Sequence, residues 1–180
     1  TSTGDPDRER ARMQWLIVPR HPQRFDAVAQ QILAHGLTLS RRCAWGDQPP
    51  LQPMADETGP TVWLGDSMGE MALYYAMSDV ALLGGSFEPL GGQNLIEAAA
   101  CGCPVVMGPH TFNFAQAAEL AEAAGAAVTV PDPGAAVQQA LAWAADPVER
   151  ERRAKAAVAF AAAHRGAARR TVQAIVALPR

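Results

Sequence analysis

Short apolar runs alternate with longer segments of helical pattern along most of this chain. The apolar runs have the length of buried strands and lie at residues 14–18, 37–40, 61–64, 80–83, 104–107 and 127–130. Between them, residues 22–35, 68–77 and 115–124, and an alanine-rich stretch after residue 92, have apolar side chains at helical spacing. Strands that alternate with helices predict βαβ units. The expected fold class is therefore α/β, a Rossmann-like parallel sheet with helices on both faces.

Three segments depart from this alternation. Residues 1–13 are polar and have no apolar period, which is typical of a linker. Residues 41–60 are rich in proline and glycine and predict an exposed loop. From residue 133 to the end we expect helices, with breaks near Asp146-Pro147 and Gly166. Since 180 residues suffice for one substantial core, residues 14–180 are predicted to form one domain.

Residues 80–107 have the most unusual composition, with glycine pairs at two turns. The pair at 84–85 follows an apolar run, and the pair at 91–92 precedes a helical segment that carries Asn94 and Glu97. Glycine lets the backbone approach a ligand closely, and a helix start offers unpaired N–H groups. The pattern therefore predicts a phosphate site for a nucleotide or nucleotide sugar, with a carboxylate placed to accept hydrogen bonds from sugar hydroxyls. The alternative is that the glycines only permit tight turns and close packing of helix on sheet.

Polar or glycine-rich residues stand at the ends of four predicted strands: Arg20 and His21, and residues 66–70, 84–86 and 110–113. Ligands of open parallel sheets bind beyond the carboxyl ends of the strands, so we expect these loops to converge on one rim. Some of these residues also suit helix N-termini. Asp66 or Ser67 is predicted to cap the helix at 68–77, and Asn113 to cap the next helix after its own loop.

Charge and cysteine usage narrow the class of protein. The net charge of −3 and the pI near 5.8 indicate no polyanion-binding surface, which argues against nucleic acid as a partner. The three cysteines are an odd number without zinc-type spacing, so they are predicted to be reduced and buried, and no metal site is expected. No apolar run reaches the roughly 18 residues of a membrane span, so any membrane anchor is expected to lie outside this sequence.

Five sequence blocks carry most of these features. They are VPRHPQRF at 18–25, GDSMGE at 65–70, GGS at 84–86, GGQNLIE at 91–97 and MGPHTFNF at 107–114. In this order they closely resemble the motifs of the 3-deoxy-D-manno-octulosonic acid (Kdo) transferases, in the C-terminal half of a two-domain glycosyltransferase of the GT-B type. Two positions depart from the family pattern. Gln93 stands where the family commonly has histidine, which removes a titratable group, and Ser67 stands where threonine is usual.

The resemblance implies an activity for the whole enzyme. Such enzymes move Kdo from CMP-Kdo onto the lipid A precursor of lipopolysaccharide, with inversion and without a metal or other cofactor. They act at the cytoplasmic face of the inner membrane of Gram-negative bacteria. The catalytic base, the acceptor groove and the membrane anchor would belong to the N-terminal half, outside this sequence. Residues 14–180 are thus expected to bind CMP-Kdo or CMP and to hold no catalytic residue, while the lipid A precursor is met through the N-terminal half.

The same resemblance assigns donor-binding roles to individual residues. Arg20 would face the donor phosphate or the Kdo carboxylate, since a guanidinium pairs with either, and His21 lies beside it. Glu97 would hold ribose hydroxyls. Gly69 and Glu70 would line the nucleotide pocket, although Glu70 could equally be a first-turn helix residue that satisfies the helix dipole. The other candidates, whose N–H, hydroxyl or amide groups could meet phosphate or sugar, are Gly84, Gly85, Ser86, Gly91, Gly92, Gln93 and Asn94.

Two other functions stay open at this point. The chain could be the donor-binding half of a GT-B transferase or epimerase that uses a UDP-sugar, which a preference for UDP over CMP would reveal. It could also be a non-catalytic interaction module that has lost its site, in which case removing the charges of Arg20 and Glu97 would leave nucleotide affinity unchanged.

Overall fold

A computed structural model describes residues 13–46, 61–164 and 176. The chain divides into two compact units, Thr1–Tyr74 and Tyr75–Arg180. Each unit contains a three-stranded sheet in which all strands are parallel. The single domain predicted at residues 14–180 includes parts of both units. That residues 14–180 form one domain stays a prediction.

The first unit is a parallel sheet with a helix packed against it. Its elements are β1 (Trp15–Ile17), α1 (Phe25–Ala34), β2 (Thr38–Arg41), β3 (Thr61–Leu64) and the first half of α2 (Met71–Met77), with short 3-10 turns at Pro22–Arg24 and Arg42–Ala44. The second half of α2, from Tyr75 onward, belongs to the second unit. The strand order is β1-β3-β2. Ala29 and Ile32 of α1 are buried against Val62 and Leu64 of β3, because residues two apart on a strand share one face.

The second unit has helices on both faces of its sheet. Its elements are β4 (Ala81–Leu83), α3 (Leu95–Ala100), β5 (Val105–Met107), α4 (Ala115–Ala123), β6 (Ala127–Thr129), α5 (Pro133–Ala145) and α6 (Pro147–His164). The strand order is β4-β5-β6, so β5 is central and all its residues are buried. Val105 and Met107 pack in one core cluster with Phe160 of α6, whereas Val106 packs in another with Trp143 of α5.

The predicted parallel α/β fold is confirmed, and two boundaries differ from the sequence prediction. The helix expected at 68–77 begins only at Met71, because Gly69 before it has a φ of +80°, outside the helical region. The loop expected at 41–60 begins later, since Arg41 belongs to β2 and Arg42–Ala44 forms a turn. Residues 1–12 and 47–60, which include most of the predicted linker and loop, lie outside the described residues, as does Gly166.

The cysteines and the helices bear on two further expectations. All three thiols are free; Cys103 is buried and Cys101 partly buried, but Cys43 is exposed, so the prediction that all would be buried is wrong for Cys43. That residue lies on a surface turn after β2 and not in an apolar segment. In the described residues, every helix is too short or too polar to cross a membrane.

Alkaline pH is expected to destabilise the second unit. Burial raises the pKa of Cys103 to about 12 and that of Tyr75 to about 12, the latter also because of the nearby Glu97 charge. An unfolded chain ionises these groups near their ordinary values of 9.0 and 10.0. The folded state holds the protons of Cys103 and Tyr75 more tightly than the unfolded state does. The stabilisation that these two protonated groups contribute is therefore complete below about pH 9 and is lost as the pH rises toward about 12.

Urea unfolding followed by circular dichroism should show a loss of at least about 1 kcal/mol between about pH 8 and about pH 11. A Cys103→Ala variant, less stable at neutral pH, should lose a smaller amount over the same interval. An equal loss in both proteins would show that the Cys103 thiol does not carry the effect.

Candidate functional site

In the second unit, Ser86 connects the turn after β4 to the loop after β5. Its side chain is fully buried, and its Oγ donates to the Leu83 carbonyl oxygen at 2.5 Å. Ser86 Oγ also accepts from the Gly108 N–H at 2.6 Å, while the Ser86 carbonyl oxygen accepts from the His110 N–H at 2.9 Å. The hydroxyl predicted to meet a phosphate is therefore engaged in holding the two loops together.

Gly91 and Gly92 are buried beneath that same loop. Both have positive φ angles, +86° and +81°. A Cβ atom on Gly91 would lie 2.1 Å from Nδ2 of Asn113, and one on Gly92 would lie 3.3 Å from the carbonyl oxygen of His110. Asn113 donates its N–H to the Gly91 oxygen at 3.1 Å. This geometry matches the alternative given for these glycines, a turn with close packing, and leaves their contact with a phosphate as a prediction.

The prediction that Asn113 caps a helix is wrong. The N-cap position of α4 is Phe114, whose side chain makes no capping hydrogen bond. The Asn113 side chain instead donates from Nδ2 to the Leu90 carbonyl oxygen at 3.3 Å. Asn113 lies within the 3-10 turn Phe112–Phe114 that precedes α4, and its amide lies beside the glycine turn.

Glu97 is an exposed carboxylate in the first turn of α3, and its neighbours orient it. Asn94 is the N-cap residue: its Oδ1 accepts from the Ile96 N–H at 3.1 Å, and its Nδ2 donates to Glu97 Oε1 at 3.0 Å. Gln93 Oε1 accepts from the Gly85 N–H at 3.3 Å. The helix has only six residues, so its dipole is weak, and the chemistry offered here is an oriented acceptor for hydroxyl groups.

In the first unit, Arg20 and His21 lie between β1 and the turn at Pro22–Arg24. Both side chains are exposed. The His21 carbonyl oxygen accepts from the Arg24 N–H at 2.9 Å, which begins the turn. Within the described part of the chain, the Arg20 side chain forms neither a hydrogen bond nor an ion pair, so its guanidinium can meet an external anion. Residues 65–70 follow β3, the parallel neighbour of β1.

The prediction that Asp66, in the loop after β3, caps α2 is wrong. The Asp66 side chain has no exposed surface and accepts from Arg41 Nε at 2.6 Å. It also accepts from the Cys43 N–H at 2.8 Å and the Cys43 thiol at 2.9 Å. Burial by itself would raise the pKa of Asp66, but the hydrogen bonds from Cys43 and Arg41 outweigh it and lower the pKa below its usual range. Asp66 therefore fixes the turn after β2 to the loop after β3.

Glu70 is also held by its neighbours. Its Oε1 accepts from Arg42 Nη2 at 2.7 Å, and its Oε2 accepts from Tyr74 OH at 3.1 Å and from the Ser67 hydroxyl. The Ser67 and Tyr74 hydroxyls also contact each other. The hydrogen bond from Ser67, and then that from Arg42, hold the pKa of Glu70 below its usual range. Gly69 precedes it on the exposed part of the loop.

The predicted site residues thus fall into two groups. Arg20, His21, Gly69 and Glu70 belong to the first unit, and Gly84, Gly85, Ser86, Gly91, Gly92, Gln93, Asn94 and Glu97 belong to the second. The sequence analysis did not predict that Arg41, at the end of β2, and Arg42, in the turn after it, would pair with Asp66 and Glu70. The sequence feature that could have indicated them is two consecutive arginines after a short apolar run. In the described ranges, no group of three or more histidine, cysteine, aspartate or glutamate side chains could hold a metal ion.

Comparisons with known proteins agree on one family. The family described as "Glycosyl transferases group 1" matches residues 47–159. The 3-deoxy-D-manno-octulosonic acid transferase of Bordetella pertussis is 53% identical over 160 residues, which is 89% of this chain and 36% of that protein. The enzyme of the same name from Haemophilus influenzae is 41% identical over 99 residues, 55% of this chain and 21% of that protein.

One solved structure gives the same result for the fold. The C-terminal CMP-Kdo binding domain of WaaA from Acinetobacter baumannii has a TM-score of 0.69 and 33% sequence identity, covering 81% of this chain and 72% of that chain. The chain spans 36% of the length of the Bordetella relative, so it corresponds to part of such a protein. From its sequence and its fold, this chain belongs to the group 1 glycosyl transferases, and its homologues there are the Kdo transferases.

Proposed function

We propose that this chain is the donor-binding part of a Kdo transferase and that it binds CMP-Kdo. The observation that carries the proposal is the likeness in fold and sequence to the Acinetobacter domain, which is described as binding CMP-Kdo. The Bordetella relative, at 53% identity over most of this chain, supports the same activity. In the whole enzyme, Kdo would pass to the lipid A precursor at the cytoplasmic face of the inner membrane.

The described geometry supports distinct roles for two of the residues. Glu97 presents an exposed carboxylate oriented by Asn94, which suits it to accept hydrogen bonds from the ribose hydroxyls. Arg20 presents an exposed guanidinium, which suits it to pair with the phosphate or the Kdo carboxylate. Gly84 would approach the phosphate through its backbone, as the sequence motif suggests, whereas the Gly85 N–H already donates to Gln93 Oε1 at 3.3 Å.

This part of the enzyme would bind the donor and stabilise the negative charge on the departing CMP. As Kdo leaves, negative charge develops on the CMP phosphate, and fixed cations and N–H groups lower the barrier by stabilising it. Transfer would proceed with inversion and without a metal. The base that activates the acceptor hydroxyl would come from the N-terminal half of the enzyme, so this chain alone would bind the donor without transferring Kdo.

The test is calorimetric titration of this chain with CMP, CMP-Kdo and UDP. We expect CMP and CMP-Kdo to bind more tightly than UDP. Arg20→Gln and Glu97→Gln should each weaken CMP-Kdo binding by about tenfold or more, because each removes a charged partner. Arg152→Gln, which removes a charge from an exposed ion pair with Glu149 on α6, is the matched control and should leave binding unchanged.

Two results would contradict the proposal. Tighter binding of UDP than of CMP would favour the donor-binding half of a UDP-sugar transferase or epimerase. Equal nucleotide affinity in the wild type, Arg20→Gln and Glu97→Gln would favour an interaction module without a donor site.

A further inference from the structure

Two consecutive arginines in the first unit have different surroundings. Arg41 is engaged with two carboxylates: its Nε donates to Asp66 and its Nη1 lies 2.9 Å from Asp26 Oδ1. Arg42 is engaged with one, through Nη2 and Glu70 Oε1 at 2.7 Å. Its side chain is 28% exposed, and its guanidinium carbon lies 5.5 Å from the Trp45 ring centroid. In the part of the chain that the structure describes, Nε and Nη1 of Arg42 therefore have no hydrogen-bond partner, and the side chain has contact with solvent.

Glu70 has the opposite character, because both of its oxygens already have partners. Oε1 is taken by Arg42, and Oε2 by the Tyr74 and Ser67 hydroxyls. A ligand hydroxyl would have to compete with these groups for the carboxylate. The same contacts hold the carboxylate still, so that it fixes the Nη2 group of the Arg42 guanidinium.

We infer that Arg42 is an anion-binding residue of the donor site and that Glu70 positions it. This rests on the proposed function, since the ligand is the same donor. A guanidinium whose Nη2 is already held by a carboxylate loses less conformational freedom when its other N–H groups pair with a second anion. The anion is a phosphate or a carboxylate, and the donor carries both. Glu70 then acts through Arg42 and does not touch the ligand.

The experiment measures the affinity of four ligands for this chain by NMR titration: cytidine, CMP, Kdo and CMP-Kdo. If Arg42 meets the phosphate, Arg42→Gln should weaken CMP and CMP-Kdo by about tenfold and leave cytidine unchanged. If it meets the carboxylate, Kdo and CMP-Kdo should weaken while CMP is unchanged. Arg42→Lys retains the charge but not the planar fork, so its loss should be intermediate. If Arg42→Gln does not fold, the affinities of Arg42→Lys provide the test.

A second series separates positioning from direct contact. Glu70→Gln should weaken the anionic ligands by about threefold, because a neutral amide holds the guanidinium less firmly. The double variant should lose no more than Arg42→Gln alone, since Glu70 acts only through Arg42. Arg152→Gln again controls for the loss of a surface charge.

Three results would overturn the inference: unchanged affinities in Arg42→Gln, an equal loss for cytidine, or a double variant whose loss is the product of the two single losses. The last would mean that Glu70 contacts the ligand directly. If the wild-type chain binds neither CMP nor CMP-Kdo, the proposed function fails and the inference fails with it. If the wild type binds and Arg42→Gln binds equally well, the inference alone fails.

Discussion

Gly108→Ala is expected to destabilise the second unit by about 3 kcal/mol, toward the upper end of what overpacking costs. An added Cβ would lie 2.5 Å from the Ser86 carbonyl oxygen and 2.8 Å from the Ser86 carbonyl carbon. Both are backbone atoms, so the clash cannot be relieved by rotating a side chain. Moving the loop away would also break the hydrogen bond from the Gly108 N–H to Ser86 Oγ. Urea unfolding at neutral pH measures the loss.

Gly84→Ala is the matched control for this variant. Its φ is not in the positive region and a Cβ there meets nothing within 4 Å, so the substitution should be neutral or stabilising by up to about 1 kcal/mol. If Gly108→Ala were as stable as Gly84→Ala, the close contact between Gly108 and the Ser86 backbone would be contradicted.

The loops of Ser86 and Gly108 follow neighbouring strands, so Gly108→Ala should also weaken CMP binding. A loss of stability without any loss of CMP affinity would show that CMP does not bind at these two loops.

Asp66→Ala is expected to destabilise the first unit by about 3 kcal/mol. The substitution leaves the Cys43 N–H without its acceptor and removes the buried partner of Arg41. Removal of one partner of a buried ion pair typically costs about 3–5 kcal/mol, and the lower value applies because Arg41 is 32% exposed and can rehydrate. The measurement is the free energy of unfolding at neutral pH.

Asp26→Ala provides the control on the same arginine. Asp26 pairs with Arg41 from a side chain that is 80% exposed, so its removal should cost only about 0–1 kcal/mol. The two variants also differ in pH dependence. Because the folded pKa of Asp66 lies below its ordinary 3.8, its contribution is complete above that value and is lost as the pH falls through the lower, folded pKa. The stability gap between wild type and Asp66→Ala should therefore narrow below about pH 3.8, and a gap independent of pH would exclude the charge as its source.

The strands and most helices could be predicted because their signals are local. Each strand is an apolar run, and each helix has apolar residues at helical spacing, so neither requires knowledge of distant residues. Asp132 and Asp146 stand immediately before α5 and α6. The Asp132 side chain accepts one N–H from the first turn of its helix, and the Asp146 side chain accepts two. Where Gly69 adopts a positive φ, the same local pattern placed the start of α2 too early.

The site was predicted less completely, because several of its groups are defined by partners far along the chain. Asp66 looks like a helix cap in sequence, yet its partners are Arg41 and Cys43, more than twenty residues earlier. Ser86 looks like a phosphate ligand, yet its hydroxyl accepts from Gly108, 22 residues later. In contrast, Asn94 and Glu97 are three residues apart on one helix turn, and their proximity follows from helical geometry alone.

The sequence by itself determined the alternation of strands and helices, the parallel fold and the family, since all three are contained in local patterns and in the order of short motifs. Only the tertiary structure decided which polar groups are occupied within the protein and which face outward. It showed that Asp66 and the Ser86 hydroxyl hold loops together, that Glu70 holds Arg42, and that Arg20 and Glu97 are exposed. The physical reason is that a side chain's hydrogen-bond partners depend on which loops the sheet brings together, and neighbouring loops come from distant parts of the chain.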